Sequence, residues 1–178
     1  MTRLLLAALS AASLASLAGP AAAEVASRSE NAFRLTFERP VTASPEAILA
    51  AAGRPAAWWS DAHTYSGSAA NITVDLQPGG CWCEALPGGG VKHAETVLVW
   101  PGERMVMFEA PFGPLRGIGA DAVLTMSWAD PEGGAARTLK WTFVVNGPGA
   151  GAMADVIDGV TAEQFGRLVD HLGGAAGS

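Results

Sequence analysis

The side chains in this chain that could do chemistry are few, and most fall in one stretch, residues 78–100, which reads PGGCWCEALPGGGVKHAETVLVW. Cys81 and Cys83 are the two cysteines of the chain. Residues two apart on a strand share a face, and at strand rise their Cα atoms sit about 6.6 Å apart, near the upper limit for a disulfide. One reading is therefore a strained, reducible bridge. A second is a metal site, since Cys81, Cys83, His93 and Glu95 make a donor set that Zn²⁺ accepts. That set assembles only if a three-residue hairpin loop puts Cys83 opposite Glu95. A four-residue loop puts Cys83 opposite Ala94 and moves His93 and Glu95 to the face of Trp82 and Glu84. The third reading, and the one expected, is two free buried thiols acting as small apolar side chains, with no metal and no other cofactor.

Glu84 lies mid-strand, where an inward carboxylate needs a partner or a raised pKa. His63 and Tyr65 follow two short helical pieces, with Asp61 beside them. They read either as a polar anchor for a ligand head group or as loop hydrogen bonding with Asp61 turning the chain. No Ser-His-Asp order, nucleotide loop or catalytic carboxylate pair can be argued. Gly88-Gly89-Gly90 sits inside a hairpin, without the strand–loop–helix context of a phosphate cradle.

Residues 1–23 read as a cleaved export signal. Arg3 supplies the positive start, residues 4–17 an apolar run, and Ala21-Ala22-Ala23 a small-residue cleavage site before Glu24. The run is shorter than the ~20 residues of a spanning helix. Removing Arg3 takes the formal charge from −6 to −7. An acidic chain without a basic block argues against a nucleic-acid partner. With no second long apolar run, stable membrane insertion is not expected after cleavage, and the expected location is periplasmic or secreted.

The elements that must position these groups follow from periodicity. Residues 24–31 are polar and unpatterned, a flexible lead-in. Phe33, Leu35 and Phe37 then alternate with polar residues as a strand does. Ser44-Pro45-Glu46 is a helix start, with Gly53 as its stop. A second short piece ends at Trp58-Trp59. Strand patterns cover residues 71–76, both arms of the 80–100 hairpin, 104–110, 119–129 and 139–145, with a turn at 130–134, so an antiparallel meander is expected. A helix over about 152–172 closes the chain. Its apolar groups, Met153, Val156, Ile157 and Val160, then Phe165, Leu168, Val169 and Leu172, point about a quarter-turn apart. That predicts a bend near Gly159 or wrapping over a curved surface.

This order, with the wording WWSDAHTYSG at 58–67, GGCWCE at 79–84 and Gly113-Pro114-Leu115, resembles exported members of the START/SRPBCC superfamily over residues 32–173. The branch it is most similar to is named for activators of the heat-shock protein 90 ATPase. The resemblance implies an α+β helix-grip fold, in which a curved antiparallel sheet of about seven strands wraps a long C-terminal helix and leaves an apolar cavity. Trp82, Met107, Leu124, Met126, Trp128 and Trp141 are then expected to line it, with Phe165 from the helix. Trp58, Trp59 and Glu84 are expected among its cavity residues as well, with His63 and Tyr65 where it opens. The leading function is holding an apolar or amphipathic small molecule. The alternative is a cyclase- or hydrolase-type enzyme using Glu84, His63 or His93 as acid or base. A chaperone co-regulator fails on compartment, because such a partner is cytosolic.

Overall fold

The structure, a computed structural model, describes residues 24–130 and 136–174. The expected export signal at 1–23 lies outside them, as does most of the expected 130–134 turn. Among the described residues eight strands form one antiparallel sheet, in the order β1-β2-β8-β7-β6-β5-β4-β3. They are β1 Glu24–Arg28, β2 Ala32–Val41, β3 Ile72–Val74, β4 Cys81–Leu86, β5 Gly89–Trp100, β6 Met105–Glu109, β7 Asp121–Ala129 and β8 Arg137–Asn146. The helices are α1 Pro45–Ala52, α2 Pro114–Gly117 and α3 Ala154–His171. Three 3₁₀ turns, Pro55–Ala57, Asp61–His63 and Ala69–Asn71, fill the connection from α1 to β3. No described helix is long and apolar enough to cross a membrane.

Strand alternation builds the inner face. Leu124 pairs with Phe143 and Met126 with Trp141 across β7 and β8, and all four are buried. Full burial of a large apolar side chain stabilises by roughly 1.5–3 kcal/mol, so these paired rows anchor the domain. On α3, Phe165 seats its ring 5.6 Å from Phe37 of β2 and 5.5 Å from Trp141 of β8. The helix thereby lies against the inner face of the sheet. The Ser44 hydroxyl accepts the Ala47 N–H at 3.2 Å and caps α1, with Pro45 in its first turn.

Three expectations change here. Residues 24–31 are not a flexible lead-in throughout, since residues 24–28 form β1 on the edge of β2. An edge strand is held by backbone pairing, so it needs no apolar alternation. Met107 does not face the core. It is half-buried on the opposite face, while its neighbours Val106 and Phe108 are fully buried. Finally, the first apolar group on the C-terminal helix is divided between two surroundings. Ile157, Phe165, Leu168 and Val169 are buried, whereas Val156 is 67% exposed.

Candidate functional site

The 81–100 hairpin turns at Pro87-Gly88, with Leu86 opposite Gly89 and Cys83 opposite Lys92. That is a two-residue loop, one residue shorter than the smaller and two shorter than the larger of the loops expected from the sequence. The register then shifts between Trp82 and Cys83, so Trp82 lies opposite Ala94 and Cys81 opposite Glu95. His93 is the extra residue of a β-bulge, and a bulge lets two successive side chains share one face. His93 and Ala94 are consequently both buried.

The inward His93 ring meets Glu84. His93 Nε2 lies 2.8 Å from Glu84 Oε2, with side-chain exposures of 8% and 0%. The same carboxylate accepts the Tyr65 N–H at 3.1 Å and the Ser66 N–H. Burial alone would push the Glu84 carboxyl up. The hydrogen bonds from Ser66, Tyr65 and His93 outweigh it and bring the pKa from 4.5 down to about 2. An ionised carboxylate only accepts, so Nε2 carries the proton and a neutral His93 keeps its lone pair on Nδ1.

A second histidine–carboxylate pair stands nearby. His63 Nε2 lies 2.9 Å from Glu163 Oε2 on α3. Hydrogen bonds from Ser60 and His63 hold the Glu163 carboxyl below its usual range. Further contacts dock the same loop on α3. Ser60 N–H donates to Gln164 Oε1 at 2.9 Å, and Arg167 Nε to the Trp58 carbonyl at 2.7 Å. Trp59 Nε1 donates to the His63 carbonyl at 3.0 Å, and Asp61 Oδ1 accepts the Ala69 N–H at 2.6 Å. Asp61 thus turns the chain, while His63 faces a cleft.

That cleft, about 230 Å³, lies between the 59–65 loop, the Phe112–Pro114 loop and α3, and both His63 and His93 line it. Tyr65, 61% exposed, and Val156 stand on its rim, with the Tyr65 ring 5.7 Å from that of His93. Beneath it lies a more enclosed cavity of about 50 Å³ walled by Leu124, Trp141, Phe143, Thr161 and Gln164. Trp59, Phe112, Ile157 and Val160 border both spaces. The Trp59 and Phe112 rings stand 5.8 Å apart.

Of the residues the sequence nominates, Trp59, His63 and Tyr65 line the cleft, and Leu124 and Trp141 reach the small cavity. Glu84 sits behind His93. Trp58, Trp82, Met126, Trp128 and Phe165 are packed in the core away from both spaces. The Cys-Cys-His-Glu set is not assembled. His93 points inward, Glu95 pairs with Lys92, and among the described residues no three potential ligands cluster for a metal. The cysteines are not free thiols either, for Cys81 and Cys83 form a disulfide. Their Cα atoms are 5.3 Å apart, closer than in a regular strand, at the point where the register shifts, and well inside the range a disulfide spans.

Phe112, Val156, Val160, Glu163 and Gln164 were not foreseen. Phe112 carried a signal, an aromatic residue inside the Pro/Gly-rich segment at 111–114. Gln164 carried a signal too, since its spacing puts it on one helix face with Ile157, Thr161 and Leu168, whereas Glu163 gains its partners only from the docked loop.

No protein-family model matches the chain, and no curated protein is similar to it in sequence. Solved structures are similar in fold. An uncharacterised protein of Bacillus thuringiensis superposes with a TM-score of 0.54 at 13% identity, over 78% of this chain and 98% of its own. The protein XoxI of Bacillus cereus gives 0.53 at 14%, over 78% and 94%. Major latex-like protein 151 of Panax ginseng gives 0.52 at 13%, over 80% and 98%. At such identities the likeness is one of fold alone, the helix-grip fold.

Proposed function

We propose that this is an exported binding domain that holds a small apolar or amphipathic molecule in the cleft between α3 and the 59–65 and 112–114 loops. The observation that carries this is a juxtaposition. Two of the large apolar side chains left exposed, Tyr65 and Val156, rim a single cleft that also offers His63 and His93. The apolar body would lie on Val156, Val160, Phe112 and Trp59, with a polar group at the histidines. The cleft and the cavity beneath it, 230 and 50 Å³, together come close to the ~300 Å³ at which small-molecule pockets begin. Export is supported by the 1–23 pattern, and cleavage before Glu24 would leave β1 whole. Material recovered outside the cytoplasm should have an intact mass that begins at Glu24. A chain there still carrying residues 1–23 defeats the export claim.

The neutral dye N-phenyl-1-naphthylamine should bind with micromolar affinity, about −8 kcal/mol, and quench tryptophan emission through Trp59. Val156→Glu puts a charge on the apolar rim without touching the core. It should weaken the dye at least about fivefold and leave the unfolding midpoint unchanged. Absence of dye binding, or indifference to the substitution, removes the cleft as the site.

A second reading, acid–base catalysis, is favoured by one observation, a histidine lining the cleft, His93, whose Nε2 is held by the buried Glu84 carboxylate. It predicts exchange of α-hydrogens of 2-decanone for deuterium in D₂O faster than buffer alone, lost in His93→Gln. Exchange at the buffer rate leaves binding alone.

A further inference from the structure

The Cys81–Cys83 disulfide takes no part in the cleft. Trp82 between the two cysteines and Glu84 after them are buried on the inner face. Strand alternation therefore puts both cysteines on the outer face, away from α3. Both are half-buried there. β4 is the penultimate strand of the sheet, and only the three-residue β3 lies beyond it.

A disulfide stabilises a fold mainly by closing a loop in the unfolded chain, and the gain grows with loop length. This one joins residues only two apart. Its strand is already paired, with Thr73 and Val74 on one side and Lys92 and Glu95 on the other. As a staple it has little to restrain. The same pairing keeps the two sulfurs near each other after reduction, ready to close again.

The surroundings of the two sulfurs differ in charge. Cys83 stands opposite Lys92 and Cys81 opposite Glu95, and directly opposed residues of an antiparallel pair are side-chain neighbours. The Lys92 ammonium also contacts the Glu95 carboxylate. An ammonium beside a sulfur favours its thiolate, and a carboxylate opposes it. In thiol–disulfide exchange the sulfur better held as thiolate departs faster. Cys83 is then the leaving group and Cys81 the sulfur attacked.

We propose that Cys81–Cys83 is an exchange-active disulfide that oxidises paired thiols of cysteine-containing peptides, an activity separate from the cleft. A substrate thiolate attacks Cys81 Sγ and forms a mixed disulfide. The bond between the two cysteines breaks, and its electron pair leaves on Cys83 Sγ beside Lys92. The substrate's second thiolate then attacks the substrate sulfur of the mixed disulfide and expels Cys81 as thiolate. The two protons released by the substrate thiols end on Cys81 and Cys83. The substrate becomes a disulfide and the domain a dithiol, a transfer of two electrons. A low-molecular-weight disulfide such as glutathione disulfide re-forms the bridge and is itself reduced to two thiols.

The test uses the oxidised full chain without denaturant and an excess of a synthetic peptide carrying two cysteine thiols. Alkylation and mass measurement should show the bridge reduced within minutes, and acid quenching should catch the peptide on Cys81. Lys92→Gln should slow the opening at least about threefold, and Lys92→Arg should restore it. With glutathione disulfide present, catalytic amounts of the chain should oxidise the peptide faster than glutathione disulfide alone. Replacing both cysteines, Cys81→Ser with Cys83→Ser, should abolish that gain and leave the urea midpoint nearly unchanged. A bridge that opens only in urea, or a double variant with a much lower midpoint, is a structural staple and overturns the proposal. So does peptide oxidation no faster than with glutathione disulfide alone. Equal opening rates in the native chain and Lys92→Gln, or peptide caught on Cys83, overturn the directed exchange.

Discussion

Glu84→Gln should lower the stability at pH 7 by on the order of 3 kcal/mol and flatten the acid limb of the stability profile. In the native chain the Glu84 carboxyl sits at about 2, against an ordinary value of 4.5. Each unit of difference between folded and unfolded states is worth about 1.4 kcal/mol. The carboxyl is depressed in the fold, so its contribution is complete above pH ~4.5 and is lost as pH falls through ~2. Glutamine keeps the shape but turns one oxygen into an NH₂ donor. It would then face the N–H groups of Tyr65 and Ser66 or the His93 Nε2–H with a donor against a donor.

Urea unfolding at pH 7 and near pH 2 tests this. The gap between native and variant should be widest at pH 7 and should narrow by well over half near pH 2. Parallel profiles over that range would mean the carboxylate is not held as described. The same substitution frees residues 65 and 66 from the sheet, so binding at the cleft that Tyr65 rims should weaken too.

How far this site was legible in the sequence depends on the residue. The inner faces of β7 and β8 alternate without a fault, and the alternation from Ala122 to Trp128 and from Leu139 to Val145 matches their burial. Met107 failed because the Met105–Phe108 run is apolar at every position. Periodicity cannot choose a face when both faces carry the same chemistry. The hairpin failed for another reason. Pro87-Gly88-Gly89-Gly90 offers several reversal points of similar cost, and the bulge at His93 has no composition signal at all. One of the two registers weighed from the sequence already put His93 on the face of Glu84, and only the backbone decided between them. Cys81 and Cys83 depended on the same shift, since regular strand spacing left their bridge at the edge of what geometry allows. Glu163 depended on a loop a hundred residues earlier in the chain. The general fold could be read from the chain, while the site comes from tertiary pairings between distant segments.

Trp82→Ala should cost about 3–5 kcal/mol of stability. The sequence places Trp82 on a cavity wall, where truncation would mainly remove ligand contacts. In the structure it is 1% exposed and borders neither space. Its ring packs at 5.2 Å from Trp59, 5.4 Å from Phe112, 5.3 Å from Phe108 and 6.5 Å from Trp58. Trp59 and Phe112 are the rings that stand between the cleft and the enclosed cavity, and Trp82 is the support behind both. Removing it leaves a hole inside a rigid core, which costs the lost transfer free energy plus the void that surrounding rings cannot fill. Chemical unfolding should show the loss as a lower midpoint with an unchanged slope. Near-ultraviolet circular dichroism should lose intensity beyond that of one tryptophan, because its neighbours lose their fixed orientation. A loss below about 1 kcal/mol, with dye affinity as the main casualty, would return Trp82 to the cavity wall and enlarge the space a ligand can reach.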